Sequence, residues 1–228
     1  MTKISIIIPC FNESGTINKI INKILENKKF ELEIIIVDDF STDGSREILK
    51  ELSNEKIKNL VLNDKNYGKG YSIRQGIKKA TGDLILIQDA DLEYDPEDYE
   101  KLFNPIIDNK ADVVFGSRFV GSEEKNVLYF WHSVGNYFLT LLSNIFTNLN
   151  LSDMECCYKV FKTEIIKSID LKEDRFGFEP EVTAKIAKRN LRIFEVGIKY
   201  YGRRYSEGKK ITWKDGFSAI RCILKYNF

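Results

Sequence analysis

The sequence predicts a doubly wound, mostly parallel α/β sheet, and three observations lead there. Apolar, β-branched runs at residues 4–9, 33–37 and 84–87 lack polar alternation, as strands buried on both faces do. Segments of helical period separate them in a β-α-β-α-β-α-β series, which favours parallel pairing. Each run opens into a polar, acid-rich segment, and in such sheets ligands bind at the carboxyl ends of the strands.

Each element follows in order. After the first run, Ser14 or Thr16 is placed to cap a helix with Ile17, Ile20, Ile21, Ile24 and Leu25 on one face. The second run ends in Asp38-Asp39-Phe40-Ser41-Thr42-Asp43-Gly44. A helix with Ile48, Leu49 and Leu52 inward follows, then a short strand at 60–62. Asn66-Tyr67-Gly68-Lys69-Gly70 is a loop whose glycines are suited to a close backbone approach to a ligand. A helix with Ile73 and Ile77 leads to the run at 84–87 and Asp89-Ala90-Asp91.

The second half is less regular. A strand at 113–115 enters Gly116-Ser117-Arg118, and residues 127–152 carry no charge when His132 is neutral. That segment has helical period. Trp131, Val134, Phe138, Leu141, Ile145 and Leu149 share one face, and His132, Asn136, Thr140, Ser143 and Thr147 share the other. It reads either as a core helix or as a segment beside the site that meets a membrane, since Tyr129, Phe130 and Trp131 suit an interface.

Composition bounds the function. A chain of 228 residues is expected to form one domain, and 35 basic against 34 acidic residues excludes a broad nucleic-acid surface. Cys10, Cys156, Cys157 and Cys222 form no CxxC pair and His132 is the only histidine, so zinc spacing is absent and a reduced compartment fits. No signal-peptide pattern and no long apolar span is present, so a cytoplasmic protein is expected. Neither GxGxxG nor a Walker A loop occurs, which disfavours dinucleotide oxidoreductases and P-loop NTPases.

Asp89 and Asp91 carry the main chemical signal. Alternate residues leaving a strand aim two carboxylates at one point, where a hard cation neutralises a departing diphosphate. Glu93 is a candidate third ligand. A solvated turn before Asp95-Pro96 is the simpler explanation of the triplet taken alone. Asp38, Asp39 and Asp43 form a second acidic cluster, suited to a base N–H or ribose hydroxyls, or to helix capping. Arg118, Arg203, Lys209 and Lys210 are the candidate phosphate-binding cations.

These motifs together resemble the inverting family 2 glycosyltransferases of GT-A fold. The resemblance rests on Pro9-Cys10-Phe11-Asn12-Glu13, the 37–44 and 66–70 segments and Asp89-Ala90-Asp91. Gly116-Ser117-Arg118, the 153–159 segment, Phe178-Glu179-Pro180-Glu181 and the 203–211 segment resemble the dolichyl-phosphate mannose and glucose synthase branch and its bacterial relatives. The resemblance implies that Pro9, Phe11, Glu13, Val37 and Asp39 hold base and ribose. Asp89 and Asp91 would face donor and metal, with Glu93 as a further ligand, and Arg118, Arg203 and Lys210 would meet phosphates. Glu181 matches an acidic position of the family.

The expected protein is a single domain over residues 1–228, with a nucleotide-sugar-binding half to about residue 95 and an acceptor-side half from about 96. Its expected reaction moves a hexose from a UDP- or GDP-linked donor, with Mg²⁺ or Mn²⁺, to a polyprenyl phosphate through peripheral membrane contact. The alternatives are transfer to a soluble or cell-surface glycan hydroxyl, and a nucleotide-sugar-binding module without turnover.

Overall fold

The computed structural model describes residues 2–121, 126–127, 129–203 and 213–228. In chain order the elements are β1 (Lys3–Cys10), α1 (Ile17–Glu26), β2 (Glu31–Asp38), α2 (Ser45–Glu51), β3 (Ile57–Leu62), α3 (Lys69–Lys79) and β4 (Leu84–Ile87). A short 3₁₀ turn (Pro96–Asp98) leads into α4 (Tyr99–Ile107). Then come β5 (Val113–Ser117), α5 (Phe130–Thr147), β6 (Lys159–Lys162), α6 (Thr163–Lys167), α7 (Phe178–Ala187), β7 (Ile193–Gly197) and α8 (Trp213–Asn227).

The strands form one sheet in the order β3-β2-β1-β4-β6-β5-β7. The unalternated apolar runs are its centre: Ile6, Ile7 and Ile8, then Ile34, Ile35 and Ile36, then Ile85, Leu86 and Ile87 have no exposed surface. Burying each such side chain stabilises the fold by about 1.5–3 kcal/mol. α1 lays Ile17, Ile20, Ile21 and Ile24 against this centre, as its spacing predicts. β1 pairs in parallel with β2 on one side and with β4 on the other. The strand order reverses there, and the crevice beyond the strand ends is where such sheets hold ligands.

β6 departs from the parallel pattern. It lies antiparallel between β4 and β5, while β7 returns to parallel pairing with β5. Its sequence hides it, because the strand is short and begins with a lysine. Lys159 is nevertheless fully buried. Its ammonium donates to the carbonyls of Met154, at 2.9 Å, and Cys156, and lies 4.9 Å from the centre of the Phe115 ring. Carbonyls and an aromatic face thus replace the lost water.

α5 overturns the core-helix reading of the uncharged segment. Its buried residues are Thr140 and Ser143. Its apolar residues face outward: Trp131 is 77% exposed, Phe138 52% and Ile145 66%. The polar face has partners that explain the inversion. Thr140 Oγ accepts from the Met154 N–H at 3.1 Å, Asn136 Nδ2 donates to Asp153, and Asn144 exchanges hydrogen bonds with the Leu151 backbone. α7 and α8 pack beside α5, and Phe228 meets Phe146 edge to face.

At the opposite end of the sheet Glu33 ties three strands' worth of chain together. Its carboxylate accepts from the Ser5 and Thr81 hydroxyls and the Thr81 and Gly82 N–H groups, and pairs with Lys3 at 2.7 Å. Burial pushes its pKa upward, but the bonds from Lys3, Ser5 and Thr81 outweigh it and hold the group at about 2. The folded pKa lies below the unfolded one, so this stabilisation is complete above about pH 4.5 and is lost as pH falls towards 2. Urea denaturation is expected to find Glu33→Gln less stable than wild type by about 1–3 kcal/mol at pH 7. That difference should shrink steadily below pH 4.

Candidate functional site

Three polar segments leave the carboxyl ends of β1, β2 and β4 and meet. Asp91, only 8% exposed, receives the Glu93 N–H on Oδ1 at 3.0 Å and Arg203 on Oδ2 at 2.7 Å. Arg203 reaches across to Glu13 at 3.1 Å and lies 3.3 Å from Glu93. One guanidinium therefore joins the β1 end, the β4 end and the chain after β7. Asp89 pairs with Lys69 at 2.8 Å, and the same ammonium is 3.1 Å from Glu179.

This is a site short of positive charge. The Asp91 carboxyl is pushed up to about 8, first by burial and then by the charges of Asp89 and Glu93, with Arg203 opposing. Among the described residues no group of three or more His, Cys, Asp or Glu forms a ready-made metal cage. Asp89 and Asp91 suit a Mg²⁺ or Mn²⁺ that draws its other ligands from phosphate and water. Glu93 Oε2 accepts from the Tyr200 hydroxyl at 2.8 Å and Oε1 from the Arg203 N–H at 3.0 Å, so it braces the loop that carries Arg203.

The adjacent acids at the end of β2 divide their work. Asp38 is fully buried and pairs with Arg46 at 2.6 Å. Asp39 accepts from Asn63 Nδ2 at 2.8 Å, from the Tyr67 N–H at 2.9 Å and from the Gly68 N–H at 2.7 Å. It organises the 63–68 loop. Asp43 accepts the Ser14 and Ser45 N–H groups, which ties the β1 loop to the start of α2 and holds its pKa at about 2 against burial. Pro9 and Phe11 are partly exposed on the β1 side, whereas Val37 has no exposed surface to offer a ligand.

The basic candidates lie inward. Arg118 makes a two-pronged pair with Asp153, Nε to Oδ2 at 2.6 Å and Nη2 to Oδ1 at 2.7 Å. It also donates to Asn136 of α5 at 2.9 Å and stacks 5.2 Å from the Tyr200 ring centre. Its fork meets the Asp153 carboxylate and it clamps α5 to the site. Lys209 and Lys210 lie outside the described residues. Glu181 is fully buried, caps the Lys172 and Glu173 N–H groups and pairs with Lys185.

The glycines at 68 and 70 lie close against the backbone of 173–175. A Cβ on Gly68, whose φ is +110°, would lie 2.5 Å from the Asp174 carbonyl, and one on Gly70 would lie 2.3 Å from that of Glu173. Sequence reading missed Lys69 and Glu179 as members of the site. The signal was present in Gly68-Lys69-Gly70 and Phe178-Glu179-Pro180-Glu181, but nothing in either motif shows that they meet. Glu155 lies nearby, its carboxyl pushed up to about 8 by burial and then by the charge of Glu179.

With this geometry in place, comparison with known proteins decides the family. The model for glycosyl transferase family 2 matches residues 5–170. The chain belongs to glycosyl transferase family 2. As a family 2 glycosyltransferase it is 29% identical over 225 residues to the low-salt glycan biosynthesis hexosyltransferase Agl6 of Haloferax volcanii, covering 97% of this chain and 53% of that one. It is 26% identical over 215 residues to undecaprenyl-phosphate 4-deoxy-4-formamido-L-arabinose transferase of Proteus mirabilis, covering 92% and 63%. The chain thus spans about half the length of the first relative and under two thirds of the second.

Solved structures confirm the GT-A fold. Glucosyl-3-phosphoglycerate synthase from Mycobacterium tuberculosis, in complex with Mn²⁺, UDP and phosphoglyceric acid, superposes with a TM-score of 0.76 at 17% identity, over 99% of this chain and 78% of that one. Mannosyl-3-phosphoglycerate synthase from Rubrobacter xylanophilus gives 0.77 at 17% identity, over 98% and 73%.

Asp39→Ala is expected to strand three donors. It should cost about 3 kcal/mol or more, at about 1–3 kcal/mol for each buried unpaired group. The melting temperature of the ligand-free protein measures this, and an unchanged value would contradict the loop-organising role.

Proposed function

We propose that this glycosyltransferase inverts the anomeric centre of a hexose as it moves it from UDP or GDP to a polyprenyl phosphate at a membrane surface. The observation that carries the acceptor is α5, whose apolar face, Trp131, Val134, Phe138, Leu141 and Ile145, is turned to solvent while its polar face is buried. An exposed aromatic and aliphatic stripe without charge suits the headgroup boundary of a lipid bilayer. No described helix is long and apolar enough to cross a membrane, so contact through this face would be peripheral. Among the relatives, the Proteus protein is by its name an undecaprenyl-phosphate sugar transferase.

The chemistry follows from the carboxylates. The acceptor oxygen attacks the anomeric carbon opposite the departing nucleoside diphosphate, and the bond from that carbon to the diphosphate oxygen breaks. Bound Mg²⁺ or Mn²⁺ would neutralise the charge released on the diphosphate. Asp89 and Asp91 would hold that ion, and the Mycobacterium synthase, solved with Mn²⁺ and UDP, supports the donor class. Pro9, Phe11 and Glu13 lie at the carboxyl end of β1, where base and ribose would lie. A phosphate acceptor is already an anion, so no carboxylate base is needed. A line of contacts from Asn136 through Arg118, Tyr200 and Glu93 to Arg203 and Asp91 joins α5 to the site.

Release of nucleoside diphosphate from candidate sugar nucleotides tests the donor half. Asp91→Asn is expected to reduce turnover by about 100-fold or more while the fold persists, consistent with loss of one charge-stabilising group. Near wild-type turnover in this variant would contradict the assignment.

Flotation on liposomes tests the acceptor half. Trp131→Glu with Phe138→Glu should abolish flotation and transfer of labelled sugar to polyprenyl phosphate, with donor affinity kept. Equal flotation by wild type and variant, or transfer only to a soluble glycan, would overturn the lipid reading.

A further inference from the structure

We propose that Lys69 and Glu179 are positioning residues that set the cation affinity of Asp89. The inference rests on the donor site just proposed and adds two side chains to it. Lys69 is the first residue of α3, and its ammonium lies between two carboxylates, 2.8 Å from Asp89 Oδ1 and 3.1 Å from Glu179 Oε1. Its side chain is 16% exposed and that of Glu179 5%, so neither is a solvated surface charge. Glu179 Oε2 is buried and has no hydrogen-bond partner among the described residues. Glu179 thus spends its charge on Lys69, and Lys69 divides its own charge between Glu179 and Asp89.

The arrangement is rigid. Gly68 and Gly70 bring the start of α3 against the backbone of 173–175, closer than any side chain allows. The Tyr71 N–H donates to the Asp174 carbonyl at 2.9 Å, and Arg74 donates to the Glu173 carbonyl and the Asp174 carboxylate. Glu181 holds the other end of that segment through the Lys172 and Glu173 N–H groups at 2.7 and 2.8 Å. Glu181 and Glu179 both lie on α7. One helix therefore fixes the segment that seats Lys69 and supplies the carboxylate that competes for it. The 68–70 and 178–181 segments thus form one device.

Its consequence is a balance. Lys69 holds one oxygen of Asp89 in a fixed direction and offsets part of its charge, which weakens cation binding. Glu179 draws Lys69 away, which strengthens it. Removing either partner should therefore move cation affinity in opposite directions. Charge pairs of this kind alter binding by up to about fivefold.

Free Mn²⁺ measured by electron paramagnetic resonance during titration reads this without turnover. Lys69→Met should bind Mn²⁺ about fivefold tighter than wild type, and Glu179→Gln about fivefold weaker. In the donor-release assay at saturating Mn²⁺, Lys69→Met should lose about tenfold or more in kcat with little change in donor KM, because Asp89 is no longer oriented. Lys69→Arg should restore most of that kcat. Melting temperatures accompany each variant, and should Lys69→Met not fold, Glu179→Gln and Lys69→Arg carry the test. Shifts of the same sign, or none, in proteins whose wild type binds Mn²⁺ would overturn this inference alone. A wild type that binds no Mn²⁺ and turns over in excess chelator would overturn it together with the metal role of Asp89 and Asp91.

Discussion

The convergence of carboxylates at the carboxyl ends of β1 and β4 is the constraint on which the rest of the site depends. Glu13, Asp89, Asp91 and Glu93 are brought together by strands whose order reverses at that point. Like charges in a partly buried space repel, and burial first, then the charges of Asp89 and Glu93, push the Asp91 carboxyl upward. The chain answers with two cations drawn from far along the sequence. Arg203 follows β7 and Lys69 opens α3, and each binds more than one acid. Their pairing offsets part of the charge of these carboxylates.

The second half of the chain obeys a different constraint. Arg118 and Asp153 need a dry, fixed setting for their two-pronged pair, and Asn136 of α5 completes it. Thr140 and Ser143 are buried on the same polar side. Once that side is turned inward, helical geometry turns Trp131, Phe138 and Ile145 outward. The exposed apolar stripe is thus tied to the polar core beneath it. A surface suited to lipid and a clamp suited to the site come from opposite faces of one helix.

Much of the first half was legible in the sequence. Unalternated isoleucine runs announce central parallel strands, and the spacing of Ile17, Ile20, Ile21 and Ile24 announces the face of α1, because burial alone decides both. Asp89 and Asp91 stand out in the sequence because they follow such a strand. The second half was less so. β6 begins with a buried lysine, whose cost is met by carbonyls and a ring that only the fold brings near. The outward face of α5 was hidden for a related reason: periodicity divides a helix into two faces but does not say which one is buried. Arg118 and Asp39 have functional residue types, but their partners are long-range, and only the fold reveals that both are engaged in holding the site together. Lys69 and Glu179 were unreadable as a pair, separated by nearly half of the chain.

The central claim is that Asp89 and Asp91 form a donor site completed by a divalent cation. Calorimetric titration of the wild-type protein with UDP and with GDP, in Mn²⁺ and again in excess chelator, tests it most directly. The account predicts that at least one of the two binds about tenfold tighter or more with Mn²⁺, a difference of about 1.4 kcal/mol. Equal affinity with and without the ion would contradict it.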